Sequence, residues 1–173
     1  SQWRAYCPPS GGFSIGFDVQ NLTPAIKEQR FTLAPCVYDV SLQTKLMDEF
    51  RDDAFAKFIH TGKNNGFLRD FLRLAAMLKH PSFSEEREWR IISHVEKFTN
   101  ASVDFRPGAS MILPFFKFSL TTGGTALPIK RLYVGPSPHR AAAVAAVQGV
   151  LIRHGFLGSA DIVKPSETPY RTW

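Results

Sequence analysis

The sequence lacks the features that mark membrane, secreted and metal-binding proteins. No window approaches the roughly 18 consecutive apolar residues of a membrane helix, and residues 1–6 lack the apolar centre of a signal peptide. The two cysteines, Cys7 and Cys36, lie in no CxxC or histidine-rich spacing, so we predict two free thiols. These absences predict a cytoplasmic protein without a membrane span or a bound metal.

Signatures of common enzyme classes are missing as well. The five histidines form no HExxH pair, and the chain has neither a Walker loop nor a dinucleotide-binding glycine fingerprint. The sequence therefore argues against a zinc hydrolase with a local ligand motif, a P-loop nucleotide hydrolase and a Rossmann dehydrogenase.

Charge of one sign is not concentrated along the chain. Lys and Arg number 21 against 15 Asp and Glu, which gives a net charge of +6, but no run of five residues is made of Lys and Arg. The balance permits an anionic partner, such as a nucleotide or nucleic acid, and is also typical of a mildly basic solvated surface.

Phenylalanine, in contrast, is abundant, with 15 copies in 173 residues. Hydrophobic residues make up 44% and charged residues 21%, which is ordinary globular usage. A chain of this length supports one core, so we predict a single domain over residues 1–173 with an aromatic interior.

Alternation over residues 13–18 predicts the first strand. Phe13, Ile15 and Phe17 are expected to face the core, and Ser14 lies on the opposite face, where a ligand or another backbone can approach. Asn21 or Thr23 is expected to cap a short helix, and a second strand follows; these elements cover residues 24–30 and 33–40.

Apolar residues then recur at spacings of three and four over residues 41–59 and 67–78, which predicts two amphipathic helices. Their phenylalanine stripes are interpreted as core packing. The connection, residues 61–66, has no apolar anchor and is expected to be mobile.

The segment 84–96 carries the candidate chemistry. As a strand, it places Trp89 and Ile91 on the core face and Glu86, Glu88 and Arg90 on the other. Two neighbouring carboxylates repel, which raises at least one pKa and suits a catalytic site. The alternative is a salt-bridged strand surface.

Further strands are predicted at residues 111–118, 129–134 and 161–164. A helix with Ser137 as N-cap and Gly155 past its end is expected between the last two. Because strands and helices alternate irregularly, the predicted class is α+β, with a mixed, largely antiparallel sheet and three to four helices packed on it.

Several separated motifs together resemble the bacterial domain-of-unknown-function 2971 family. They are Ser1-x-Trp3-Arg4-x-Tyr6, the strand over residues 12–17, Val37-Tyr38, Phe83-x-x-Glu86-x-Glu88-Trp89-Arg90, Pro128-Ile129, Val134-Gly135-Pro136 and Ser166-x-x-Pro169-Tyr170-Arg171. The resemblance spans nearly the whole chain. Family members usually have a further N-terminal portion, so the chain is expected to be the C-terminal portion of a longer family domain.

In layout the family is distantly similar to the ADP-ribosyltransferase fold, which implies an NAD-using transferase or glycohydrolase, such as an effector of a bacterial defence or toxin system. On that analogy Glu88 is the catalytic glutamate and Glu86 its companion, Ser14 lies on the middle strand, and Arg4 replaces the missing early histidine as an anchor for pyrophosphate. The other expected ligand-binding residues are Trp3, Tyr6, Arg90, Tyr170 and Arg171.

A second class of function stays open at this point. The basic and aromatic surface is also typical of a non-enzymatic module that binds nucleic acid or a protein. The sequence does not fix the oligomeric state.

Overall fold

A computed structural model describes residues 3, 6–7, 11–63, 66–121, 127–156 and 158–168. The predicted α+β class is confirmed. In chain order the elements are β1 (Phe13–Phe17), α1 (Val19–Glu28), β2 (Thr32–Pro35), α2 (Val40–Thr61), α3 (Phe67–Ala75), a 3-10 helix (Pro81–Glu86), β3 (Trp89–Ile92), β4 (Val103–Pro107), β5 (Ile112–Phe116), β6 (Ile129–Val134), α4 (Arg140–Arg153), α5 (Ser159–Ile162) and β7 (Val163–Pro165).

The described strands form three small sheets, β1-β6-β7, β2-β3 and β4-β5. The pairing is antiparallel except between β6 and β7, which run parallel. The chain divides into two compact units: unit 1 comprises residues 1–22 and 120–173, and unit 2 comprises residues 23–119.

Unit 1 is built on the β1-β6-β7 sheet and helix α4. Leu132, Val134 and Val163 on the sheet and Leu151 on α4 form its buried cluster. The helix ends as the sequence indicates, because Gly155 follows it with a φ of 87°, a conformation that glycine adopts without strain. The β6-α4-β7 unit is therefore a parallel crossover with an apolar seam.

Strand β1 presents Phe13 and Ile15 on the expected face, but the expectation that they are buried is wrong. Phe13 and Ile15 are 62% and 48% exposed. They pair directly with Val134 and Leu132, so they share the sheet face that α4 covers. However, α4 packs mainly over β6 and β7, and Phe13 and Ile15 on the edge strand β1 stay exposed.

Unit 2 contains the β2-β3 and β4-β5 pairs, and its buried residues include Ala34, Cys36 and Val103. Strand β4 is not predicted by the sequence analysis. Its residues, VDFRP, follow a polar turn and are too few to show a period, but they pair along their full length with β5.

Helix α1 begins five residues earlier than expected. The carboxylate of Asp18 accepts hydrogen bonds from the backbone N–H groups of Gln20 and Asn21, at 2.9 and 3.2 Å. Asp18, rather than Asn21 or Thr23, therefore caps the helix. The late segment also differs, since Asp161 belongs to the short helix α5 and β7 starts at Val163.

Helices α2 and α3 lie where the periodicity predicts them, but their packing is not as expected. Asp39 caps α2 by accepting the N–H of Leu42 at 2.8 Å. Neither helix contains a buried residue. The interpretation of their phenylalanine stripes as core is therefore wrong. The expected mobility of residues 61–66 rests partly on residues 64–65, which lie outside the described residues.

The segment 84–96 is not one strand. Residues up to Glu86 are in the 3-10 helix, and the strand proper is Trp89–Ile92. The expected core residue Trp89 is 63% exposed, whereas Arg90 is half-buried. Within the part of the chain that the structure describes, every helix is too short or too polar to cross a membrane.

Candidate functional site

Three segments of unit 2 meet around Glu88. Strand β3 pairs with β2, and the backbone N–H of Cys36, just after β2, donates to the carbonyl of Glu88 at 2.8 Å. Val37 pairs with the segment after α3, since its N–H donates to Met77 O at 2.8 Å and its carbonyl accepts from the Lys79 N–H at 3.1 Å. The chain around Val37 thus connects the end of α3 to β3.

This arrangement brings Lys79 to both predicted catalytic carboxylates. Its Nζ contacts Glu86 Oε2 and lies 2.5 Å from Glu88 Oε2. The guanidinium of Arg90 donates to both Glu88 oxygens, at 2.8 and 3.1 Å, and to the carbonyl of Ala76 at 2.7 Å. We call Lys79, Glu86, Glu88 and Arg90 the charged cluster.

The charged cluster is largely shielded from water. The side chains of Lys79 and Glu86 are 16% and 18% exposed, and those of Glu88 and Arg90 about a third. The Glu88 N–H also donates to the hydroxyl of Tyr38 at 2.9 Å. Glu88 is therefore held through its side chain and through both of its backbone polar groups.

The expected rise in a carboxylate pKa is not seen at Glu88. Hydrogen bonds from Arg90 and then from Lys79 lower its pKa from 4.5 to about 2. Contact with Glu86 and Glu88 in turn raises the pKa of Lys79. Because a cation lies against each carboxylate, Glu88 is a stable anion at neutral pH and is poorly suited to exchange a proton.

This shift predicts how stability depends on acidity. The pKa of Glu88 is lower in the folded chain than its ordinary value, so its contribution is complete above about pH 4.5 and is lost as the pH falls towards 2. We expect the melting temperature of the wild type to fall more steeply between pH 5 and 2.5 than that of Glu88→Gln. Equal slopes in thermal scans across this range would contradict the assignment.

Cys36 lies next to this cluster but is not a candidate nucleophile. It is buried and free, and its burial raises the pKa of the thiol. A thiol with a raised pKa holds little thiolate at neutral pH. Cys7 is also free, so the prediction of two unpaired cysteines is confirmed. The described residues contain no group of three His, Cys, Asp or Glu side chains positioned to hold a metal ion.

The other predicted site residues belong to unit 1 or lie outside the described residues. Trp3, Tyr6 and Ser14 belong to unit 1, whereas Glu86, Glu88 and Arg90 belong to unit 2. A methyl group added at Gly135 would come 3.0 Å from the Trp3 ring, so Trp3 packs directly against the backbone there. Tyr6 and Ser14 are exposed. Arg4, Tyr170 and Arg171 lie outside the described residues.

Sequence reasoning did not identify Lys79 as a member of the charged cluster. Its local context, Lys79-His80-Pro81, indicates only the end of a helix. The partner carboxylates are seven and nine residues further along, and a 3-10 turn over Pro81–Glu86 folds the chain back towards Lys79.

A second feature is an apolar groove on the hairpin of α2 and α3. The ring of Phe50 lies 5.1 and 6.1 Å from those of Phe67 and Phe71, which fixes α3 against the middle of α2. The groove encloses about 620 Å³. It is lined by Met47, Asp48, Phe50, Arg51, Ala54, Phe55, Phe58, Phe67 and Phe71.

The groove is hydrophobic and open to solvent. Phe55, Phe58 and Phe67 are 63%, 50% and 40% exposed. Its two charged lining residues neutralise each other, because Arg51 Nη1 lies 2.7 Å from Asp48 Oδ1. The spacing of the phenylalanines in the sequence revealed the apolar stripes of α2 and α3, but it did not reveal that the stripes are open to solvent.

Comparison with known proteins shows that part of the chain matches a protein family. The model of a family described as "Protein of unknown function (DUF2971)" matches residues 2–91. The range includes the Trp-Arg opening and the Glu-x-Glu-Trp-Arg motif, whereas the motifs after residue 91 lie beyond it. No curated protein and no solved structure matches the chain.

Proposed function

The chain belongs to the family of unknown function DUF2971, and from this premise we propose that it is a protein-interaction module that associates with a second copy through the α2–α3 groove. The observation that carries the proposal is the exposure of Phe55, Phe58 and Phe67 on one hydrophobic groove. The charged cluster then serves as the scaffold that ties the end of α3 to β3.

The size of the apolar surface supports a binding role. A buried aromatic side chain removes roughly 150–250 Å² from water, so the exposed parts of these three phenylalanines alone amount to about 300 Å². Apolar patches of this size on a monomer are often functional. Covering the groove would stabilise the complex through the hydrophobic effect.

The charge of the groove supports a second copy as the occupant. The chain carries a net charge of +6, so two copies repel each other least where their contact surface carries no net charge. The groove meets this condition because the charges of Asp48 and Arg51, which form an ion pair, cancel. Two hairpins packed groove to groove form a four-helix arrangement, in which each subunit buries the same residues. A polyanion, in contrast, finds no excess of cations in the groove.

Sedimentation equilibrium of the wild-type chain tests the proposal. We expect a mass of twice 19.4 kDa at tens of micromolar and reversible dissociation on dilution. A mass of one chain at all concentrations up to about 100 µM would overturn the proposal, because the dissociation constant would then exceed the tens of micromolar that we expect.

As a second candidate we propose NAD-dependent chemistry at Glu88. One observation favours it: an ionised carboxylate, about a third exposed, lies beside a guanidinium. Such a carboxylate can stabilise positive charge at a sugar carbon as nicotinamide leaves, and a guanidinium such as that of Arg90 can bind phosphate.

The test is calorimetric titration of NAD with a parallel assay for nicotinamide release. We expect saturable binding in the wild type and at least a tenfold loss of release in Glu88→Gln. Glu85→Gln, which changes an exposed carboxylate three residues away, serves as the matched control and should behave as the wild type. Release that is absent in the wild type, or equal in all three proteins, would reject the candidate.

A further inference from the structure

Unit 2 contains a second pocket, between β3 and the β4-β5 pair. It encloses about 520 Å³, within the usual range of small-ligand sites. Half-buried rings dominate the lining, which comprises Phe31, Ile91, Ser93, His94, Val95, Glu96, Phe98, Val103, Pro114, Phe115, Phe116 and Phe118.

The rings form a connected group. Phe31 lies edge-on to Phe118 at 5.0 Å and to His94 at 6.1 Å, and His94 lies 4.9 Å from Phe116. These contacts hold the rings in fixed positions, so the pocket presents a preformed aromatic wall. A preformed wall lowers the entropic cost of binding a ligand.

The charge of the pocket is opposite to that of the protein as a whole. Among the described residues that line it, Glu96 is the only Asp, Glu, Lys or Arg. Its Oε2 accepts a hydrogen bond from Asn100 Nδ2 at 3.0 Å, which orients the carboxylate. Its Oε1 lies 3.9 Å from His94 Nε2, which is longer than a hydrogen bond.

We propose that this pocket binds an organic cation, specifically a quaternary or alkylated ammonium group. Aromatic faces attract such cations through their negative quadrupole, and a carboxylate at the rim adds a direct charge attraction. The methyl groups of the cation are apolar enough to enter the ring-lined space without the full desolvation cost of a bare ammonium ion. The pocket is independent of the α2–α3 groove, so the two proposals stand or fall separately.

A charged ligand and its neutral isostere distinguish this proposal from simple apolar binding. Choline and 3,3-dimethylbutan-1-ol have nearly the same shape, and they differ in the positive charge. We expect choline to bind the wild-type chain saturably, with amide NMR shifts at residues 93–98 and 115–118. We expect the dissociation constant of the neutral alcohol to be at least about tenfold higher than that of choline.

Two variants complete the test. Glu96→Gln keeps the shape of the rim and should weaken choline binding about tenfold while leaving the alcohol unchanged; Glu85→Gln should change neither. Phe116→Leu should also weaken choline selectively. Equal affinity for choline and the alcohol, or no choline binding up to about 10 mM, would overturn the proposal.

Discussion

Replacing Phe58 with Asp is expected to convert the dimer into a monomer. Phe58 is half exposed and lines the groove, so the folded monomer should tolerate a polar side chain there. In the dimer, however, the new carboxylate would be buried against the phenylalanines of the second copy, and the lining cation Arg51 is already paired with Asp48. Losing a central aromatic contact and burying a charge should raise the dissociation constant about 100-fold or more.

The matched control is Phe105→Asp on β4. Phe105 has nearly the same exposure, 54% against 50%, but it lies outside the groove lining. Sedimentation equilibrium should therefore give the wild-type dissociation constant for Phe105→Asp, while circular dichroism shows both variants folded. Equal effects of the two substitutions, or a dimeric Phe58→Asp protein, would place the interface elsewhere.

The second large effect is expected when Lys79 is changed to Met. Met keeps most of the length and the apolar stem of the side chain, but it removes the positive charge from between Glu86 and Glu88. It also removes the cation that lies 5.2 Å from the centre of the Phe83 ring. Glu86 and Glu88 then lose the shielded cation that they share, and we expect the melting temperature to fall by about 5 °C or more.

Lys57→Met is the control for that experiment. Lys57 pairs with Asp53 at 2.5 Å, but both side chains are more than 60% exposed. Exposed pairs contribute little to stability, so this variant should melt within about 1 °C of the wild type. If Lys57→Met and Lys79→Met lowered the melting temperature equally, the shielding of the charged cluster from water would not contribute to stability.

The sequence predicts local structure well where the signal is local. The period of α2, the glycine after α4 and the strand over residues 129–134 were all found from spacing and turn residues. Burial was predicted poorly, because it depends on which other element covers a face. Phe13 and Phe58 are both on regular apolar stripes, yet each is at least half exposed in the structure.

In the candidate site, too, the sequence predicts what is local and misses contacts between distant segments. Glu86, Glu88 and Arg90 were identified from their order along the chain, and the structure does place them together. The sequence did not reveal that Lys79 neutralises the two carboxylates, because that contact depends on the 3-10 turn and on the pairing of Val37 with the end of α3. Repulsion between the two carboxylates is therefore not what sets the pKa of Glu88, which the two cations lower.

The division of unit 1 along the chain has a consequence for synthesis in the cell. Strand β1 pairs with β6, but the whole of unit 2 is translated between them. At about 5–20 residues per second, β1 emerges from the ribosome several seconds or more before its partner exists. During that interval Phe13 and Ile15 are part of an unpaired strand, the kind of segment that recruits other nascent chains or chaperones. The strands of unit 2 pair only with strands of the same continuous segment, so unit 2 can complete its strand pairs before the last third of the chain is synthesised.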